Sequence, residues 1–296
     1  MPSIPTDLLN GASDKPYRVL LTGFGPFGSY EVNPAWLAVK PLHNVILDAA
    51  PVTHEKQVVL DGAASTSKQI HITSVNVPTE YGWVLSNVPS FHARPPVLPA
   101  PPFPSEPPLP YIAPPEEGYD LVFHVGVTSP GVVRMETQGH KYGYRLRDAA
   151  DNLPPIVAEI GEASPQPSEA EKIERDRLPG STDVNGKKRP IRGFGEGYED
   201  LEEEIQTEID VAALVAYLKE APPGDKYIGQ SFDAGHYLCD FIYYCSLANN
   251  QRQRLSGTGG KRTKVLFFHC PPIDKPLSTE EVTEIIKKTI VWVAQH

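Results

Sequence analysis

Apolar residues gather in short unbroken runs at residues 17–22 (YRVLLT), 121–126 (LVFHVG) and 265–269 (VLFFH), with more mixed runs at 71–77 (HITSVNV) and 227–231 (YIGQS). A strand that is apolar on successive residues is covered on both faces, as in a parallel sheet between helices. Between these runs the spacing changes to that of helices, at 34–40, 208–220 (EIDVAALVAYLKE), about 235–249 and from Thr279 onward. The last helix opens with Ser278 and Glu281, placed to satisfy each other's free amide donors, and lines Val282, Ile285, Ile286 and Val293 along one side. Strands alternating with helices predict an α/β fold: a single three-layer α/β/α domain over residues 1–296 with a mostly parallel, twisted central sheet.

Two stretches depart from this alternation and read as long irregular insertions. Residues 89–115 hold 12 of the 32 prolines, a density that suits neither helix nor central strand and predicts a polyproline-like surface loop. Such a loop is a spacer or a docking strip for an aromatic groove. Residues 153–200, rich in Pro, Glu, Lys, Gly and Ser, show no sustained period and predict a long polar loop. Residues 1–16 read as a flexible N-terminal tail.

A chain of 296 residues buries enough surface to fold without disulfide or metal staples. Its net charge of −10 argues against a dedicated binder of nucleic acid or of anionic membranes, which needs a basic footprint. No apolar run reaches the roughly 20 residues that span a bilayer, and the opening MPSIPTD lacks the basic-then-apolar layout of a secretion signal. Cys239, Cys245 and Cys270 are an odd set, which suits reduced thiols. The expectation is a cytoplasmic protein whose partners are small molecules or peptides, with no nucleic acid and no membrane.

Gly23-Phe24-Gly25-Pro26-Phe27-Gly28 follows the first strand and spells G-x-G-x-x-G, the turn of a nucleotide-dependent oxidoreductase. Pro26 supplies no amide donor, however, and the next helix opens only at Asn33-Pro34, so a pyrophosphate would meet no helix N-terminus. Phe24 and Phe27 on this turn suit a small flat apolar ligand, or core packing. Cys239 lies near the first turn of a helix, where the macrodipole favours thiolate; a buried, inert cysteine is the alternative, and Cys245 fits that better. His269 ends the last strand at the carboxyl edge, where α/β sheets place their ligands. Glu136 follows strand 121–126 after a short loop, 127–135, and either reaches the same edge or lies in solvent. His236, Cys239, His269 and Cys270 are zinc-ligand types, but they lack Cys-x-x-Cys spacing and adjacent His269 and Cys270 diverge on a strand, so no metal is expected.

Three segments together resemble the pyroglutamyl peptidase I (pyrrolidone-carboxyl peptidase) family of cysteine peptidases. Arg18 through Gly28, continuing to Val32-Asn33-Pro34-Ala35-Trp36, is similar to its N-terminal signature; Asp233-Ala234-Gly235-His236-Tyr237-Leu238-Cys239-Asp240-Phe241 to its cysteine signature; and Phe267-Phe268-His269-Cys270-Pro271-Pro272 to its histidine signature. The segment from His124-Val125-Gly126-Val127 through Met135-Glu136-Thr137-Gln138-Gly139-His140 looks most like the animal members.

The resemblance implies a cofactor-free exopeptidase that removes an N-terminal pyroglutamyl residue from peptides. By position, Cys239 would be the nucleophile, His269 its base and later acid, and Glu136 the group orienting the imidazole. Phe24 and Phe27 would take the lactam faces, Tyr237 and Leu238 would line the pocket, and the main chain at Gly126-Val127 would bond the lactam edge. Arg147 is the candidate for the arginine that members carry near the oxyanion site, and Arg134 stands where many members have Ser or Thr. A catalytically silent homologue that binds peptides or partners through the proline-rich loop is the alternative.

Overall fold

The computed structural model describes residues 15–49, 68–103, 109–110, 112–158, 190–255 and 262–296. The strands are β1 (Tyr17–Phe24), β2 (Ile46–Ala49), β3 (Lys68–Val77), β4 (Leu121–Val127), β5 (Val133–Glu136), β6 (Gln138–His140), β7 (Ile156–Ala158), β8 (Ile191–Arg192), β9 (Glu204–Gln206), β10 (Ile228–Ser231) and β11 (Lys264–Cys270). The helices are α1 (Pro34–Val39), α2 (Tyr81–Phe91), α3 (Val211–Leu218), α4 (Gly224–Tyr227), α5 (Leu238–Leu255) and α6 (Thr279–Gln295). A seven-stranded sheet, ordered β10-β5-β11-β4-β1-β3-β2, forms the centre. Its middle strands β11, β4, β1 and β3 are parallel, while β2 pairs antiparallel with β3 and β5 antiparallel with β11.

Successive residues of a strand face opposite ways, so the unbroken apolar runs feed two cores. Val19, Leu21, Phe123, Leu266 and Phe268 pack with α1, α3 and α6 on one face. Leu20, Val122, Val265 and Phe267 pack with α2 and α5 on the other. This is the α/β architecture the sequence predicts. At the start of α6, Ser278 and Glu281 form the reciprocal cap. Asn33 caps α1 by accepting from the Ala35 amide, with Pro34 as its first residue.

Three places differ from the sequence expectation. Residues 127–135 are not all loop: Val133 and Met135 bury in the α3 core while Arg134 and Glu136 alternate with them, which makes β5 a strand. Residue 89 does not open a loop, because α2 runs on through Pro89 to Phe91, held by buried Tyr81, Val84, Val88 and Phe91. The proline-rich residues that follow lie on the body. The Val97 amide donates to the Ser90 carbonyl at 3.0 Å, and the Pro110 carbonyl accepts from His43 Nε2 and Asn44 Nδ2 at 2.7 and 2.6 Å.

The polar insertion is ordered at both ends. Ile156–Ala158 and Ile191–Arg192 form a two-stranded ribbon, and Phe194 stacks on Phe241 of α5 with ring centroids 4.0 Å apart. Phe194, Tyr198 and Leu201 therefore extend the α5 core. Residues 159–189 of this insertion, 104–108 and 111 of the proline-rich one, and 1–14 of the N-terminal tail lie outside the described residues. No helix among the described residues is long and apolar enough to cross a membrane.

Candidate active site

Strand register brings the first two candidate side chains together. In the β11–β5 pair Phe267 stands opposite Glu136 and His269 opposite Arg134, so His269 and Glu136 share the face of the sheet that lies under α5. His269 Nδ1 lies 2.7 Å from Glu136 Oε1, and both residues are buried. With the Nδ1 proton donated to the carboxylate, Nε2 is the nitrogen left for chemistry. Glu136 thus comes in on a strand rather than a loop. Its carbonyl accepts from Tyr243 Oη of α5 at 3.0 Å, and its second oxygen, Oε2, is buried with no hydrogen-bond partner among the described residues.

Cys239 is the second residue of α5 and is partly exposed. In the parallel pair β4–β11, Gly126 stands opposite His269. A Cβ at Gly126 would lie 2.7 Å from Cys239 Sγ and 2.9 Å from the Phe267 ring, so the sulfur occupies the space that any side chain there would take. A helix N-terminus alone favours thiolate. Here burial, followed by the negative charge of Glu136 and then Cys270 and Asp240, pushes the Cys239 thiol well above its ordinary range. A thiol pushed up in this way needs a nearby base to take its proton if it is to act as a nucleophile.

The other two thiols are buried, and burial raises each to about 12. Cys245 lies 3.3 Å from Tyr198 Oη, and Cys270 packs on the opposite face of the sheet from Phe267. The zinc-ligand types weighed in the sequence are thus divided between the two cores. A different cluster forms beside Cys239, where His140, His236 and Asp240 bring their side-chain donor and acceptor atoms within 4.8 Å of one another. Asp240 Oδ1 accepts from the His140 amide at 2.9 Å, and Oδ2 accepts from His140 Nδ1 at 2.8 Å and from the His236 amide at 3.3 Å. His236 Nδ1 donates to the Tyr142 carbonyl at 3.0 Å. Hydrogen bonds within the protein occupy these atoms.

Of the expected pocket residues, Phe27 and Tyr237 are half-buried with ring centroids 5.5 Å apart. Tyr81, missed in the sequence, stands edge-on to both Tyr237 and Phe241. Phe24 and Leu238 are buried in the α5 core. Val127 ends β4 opposite Cys270 and is partly buried. The exposed Arg147 guanidinium turns to Asp151, with Nη1 2.5 Å from its carbonyl, while the Arg147 carbonyl accepts from Tyr237 Oη at 2.8 Å. A Cβ at Gly25, in the turn after β1, would run into the ring of Phe103 from the proline-rich segment. His140, His236 and Asp240 were also missed as a group, because residues 100 positions apart carry no local signal of contact.

The family model described as pyroglutamyl peptidase matches residues 17–77. Rat pyroglutamyl-peptidase 1 is 25% identical over 273 residues, covering 92% of this chain and 87% of that protein, and the human protein of the same name is 24% identical over the same span. The crystal structure of Bacillus amyloliquefaciens pyroglutamyl peptidase I superposes with a TM-score of 0.57 at 19% identity, covering 95% of this chain and 98% of that one. The fold is the α/β architecture of these solved structures, and the full-length relatives the chain matches are named as peptidases. In sequence over residues 17–77, and in fold over nearly its whole length, the chain resembles the pyroglutamyl peptidases.

Proposed function

We propose that this chain is a cysteine exopeptidase that hydrolyses the bond after an N-terminal pyroglutamyl residue, with Cys239 as nucleophile, His269 as base and then acid, and Glu136 as the group orienting the imidazole. The observation that carries this reading is the 2.7 Å contact of His269 Nδ1 with Glu136, beside a cysteine sulfur packed on the strand position opposite His269. As Sγ attacks the pyroglutamyl carbonyl, its proton passes to His269 Nε2 and the carbonyl becomes an oxyanion. The C–N bond then breaks, the departing amine takes the Nε2 proton, and a thioester remains. Water next gives a proton to Nε2 and attacks the thioester, which releases pyroglutamate and returns the thiol. Amide donors at the start of α5 are the candidate oxyanion site.

Phe27 and Tyr237 suit the flat faces of a five-membered lactam, over a floor of Phe24 and Leu238, with main-chain groups at Gly126 and Val127 for its amide edge. Arg147 serves this pocket through its carbonyl, which anchors Tyr237. The substrate partner is a pyroglutamyl peptide, no cofactor takes part, and a cytoplasmic setting suits three unpaired cysteines. A fluorogenic pyroglutamyl 7-amino-4-methylcoumarin amide tests the reading. The wild-type chain should release the fluorophore and Cys239→Ala should not; equal turnover by Cys239→Ala would remove the nucleophile, and an inactive wild type would favour a silent homologue.

A further inference from the structure

Asp240 directly follows the nucleophile, and its carboxylate is fully buried. It spends both oxygens on two other segments. Through the His236 amide it holds the loop that leads into α5, where Gly235 and His236 both adopt positive φ, 93° and 46°. Through the amide and Nδ1 of His140 it holds β6, the continuation of the chain just past Glu136. Contact here is tight: a Cβ at Gly139 would lie 2.8 Å from the Tyr244 amide nitrogen of α5. Glycine takes positive φ without strain, but His236 in the left-handed region must be held by its surroundings; Asp240 holds its amide and the Tyr142 carbonyl its ring.

We propose that Asp240 is a positioning residue, which together with His140 clamps the Cys239 loop to β6, the segment that continues from Glu136, and so sets the placement of the sulfur against the His269–Glu136 pair. The inference rests on the peptidase reading for its catalytic consequence. A carboxylate suits the task because it presents only acceptors to the donors that converge on it. An amide of the same shape puts an N–H group against one of those donors. Displacing a nucleophile by a fraction of an ångström to 1 Å costs turnover more than binding.

The test compares Asp240→Asn, His140→Ala and His140→Asn in the full chain, the last keeping a side-chain N–H near the position of Nδ1. Two quantities are read: kcat and KM on the fluorogenic pyroglutamyl amide, and the rate at which iodoacetamide modifies the peptide containing Cys239. Asp240→Asn and His140→Ala should lower kcat by about tenfold or more with KM little changed, and slow the alkylation, while His140→Asn recovers most of both. Folded Asp240→Asn and His140→Ala proteins with wild-type kcat and alkylation rate would overturn the proposal. Should Asp240→Asn fail to fold, the His140 pair decides, and equal values for Ala and Asn would overturn it. A wild type inactive on the pyroglutamyl amide defeats the peptidase reading alone, because the alkylation rates still report the clamp.

Discussion

Gly126 and His269 stand opposite one another in adjacent parallel strands, and the Cys239 sulfur lies over Gly126 where a side chain would otherwise be. A buried strand whose other positions all carry side chains is thereby opened at one position, and the helix N-terminus enters that gap. Gly126→Ala should force the sulfur and the Phe267 ring apart. The expected result is a fall in kcat/KM of about 100-fold or more, with a stability cost of about 1–3 kcal/mol. Gly82→Ala in α2, where an added Cβ meets nothing within 4 Å, should leave kcat/KM unchanged in the same assay.

Glu136→Gln isolates the charge behind the imidazole. Glu136 Oε2 has no partner among the described residues, so an amide of equal shape breaks no bond there and still accepts from His269 Nδ1 at the other position. The melting temperature should change little, while kcat falls by about 100-fold or more because the imidazolium formed during attack loses its counter-charge. Unchanged kcat would remove Glu136 from the catalytic set.

The His140–Asp240 pair makes stability depend on pH. Burial alone would lower the His140 pKa, but the Asp240 carboxylate, through charge and hydrogen bond and with help from Glu204 and Asp233, outweighs it and raises His140 to about 9. A folded-state value above the ordinary 6.5 adds stability that is fully present below pH 6.5 and is lost as pH rises through about 9. Thermal melts across that interval should show the wild type losing on the order of 2 kcal/mol relative to His140→Asn. Parallel stability curves for the two proteins would contradict the pairing.

Tyr237→Phe removes the hydroxyl that donates to the Arg147 carbonyl at 2.8 Å, at a cost of about 1 kcal/mol. Loosening this turn beside the Phe27–Tyr237 slot should raise KM for the pyroglutamyl amide several-fold and leave kcat nearly unchanged. A change confined to kcat would place Tyr237 in the chemical step instead.

The sheet and its covering helices were legible because β1, β4 and β11 are buried on both faces and so read as continuous apolar runs. Cys239 and His269 stood out as a helix-start thiol and a strand-end imidazole. Strand β5 was hidden by its composition: only Val133 and Met135 of its four residues are apolar, and Glu136, the residue that most resembles a surface group, is buried against His269. Helix α2 was obscured by Gly82 and Pro89, which its packing through Tyr81, Val84 and Val88 overrides. The tie between Asp240 and His140 exists only once α5 lies across β6, and no spacing within either segment announces it.

The most direct test of the central claim is to label the chain with a pyroglutamyl chloromethyl ketone, in which a reactive sulfur displaces chloride to form a stable thioether, and to map the modified peptide by mass spectrometry. One adduct per chain on Cys239, prevented by a competing pyroglutamyl peptide and much slowed in Glu136→Gln, is the expected result. Labelling of Cys245 or Cys270 in preference, or modification of Cys239 that the competing peptide does not slow, would contradict the assignment of Cys239 as a nucleophile set beside a lactam pocket.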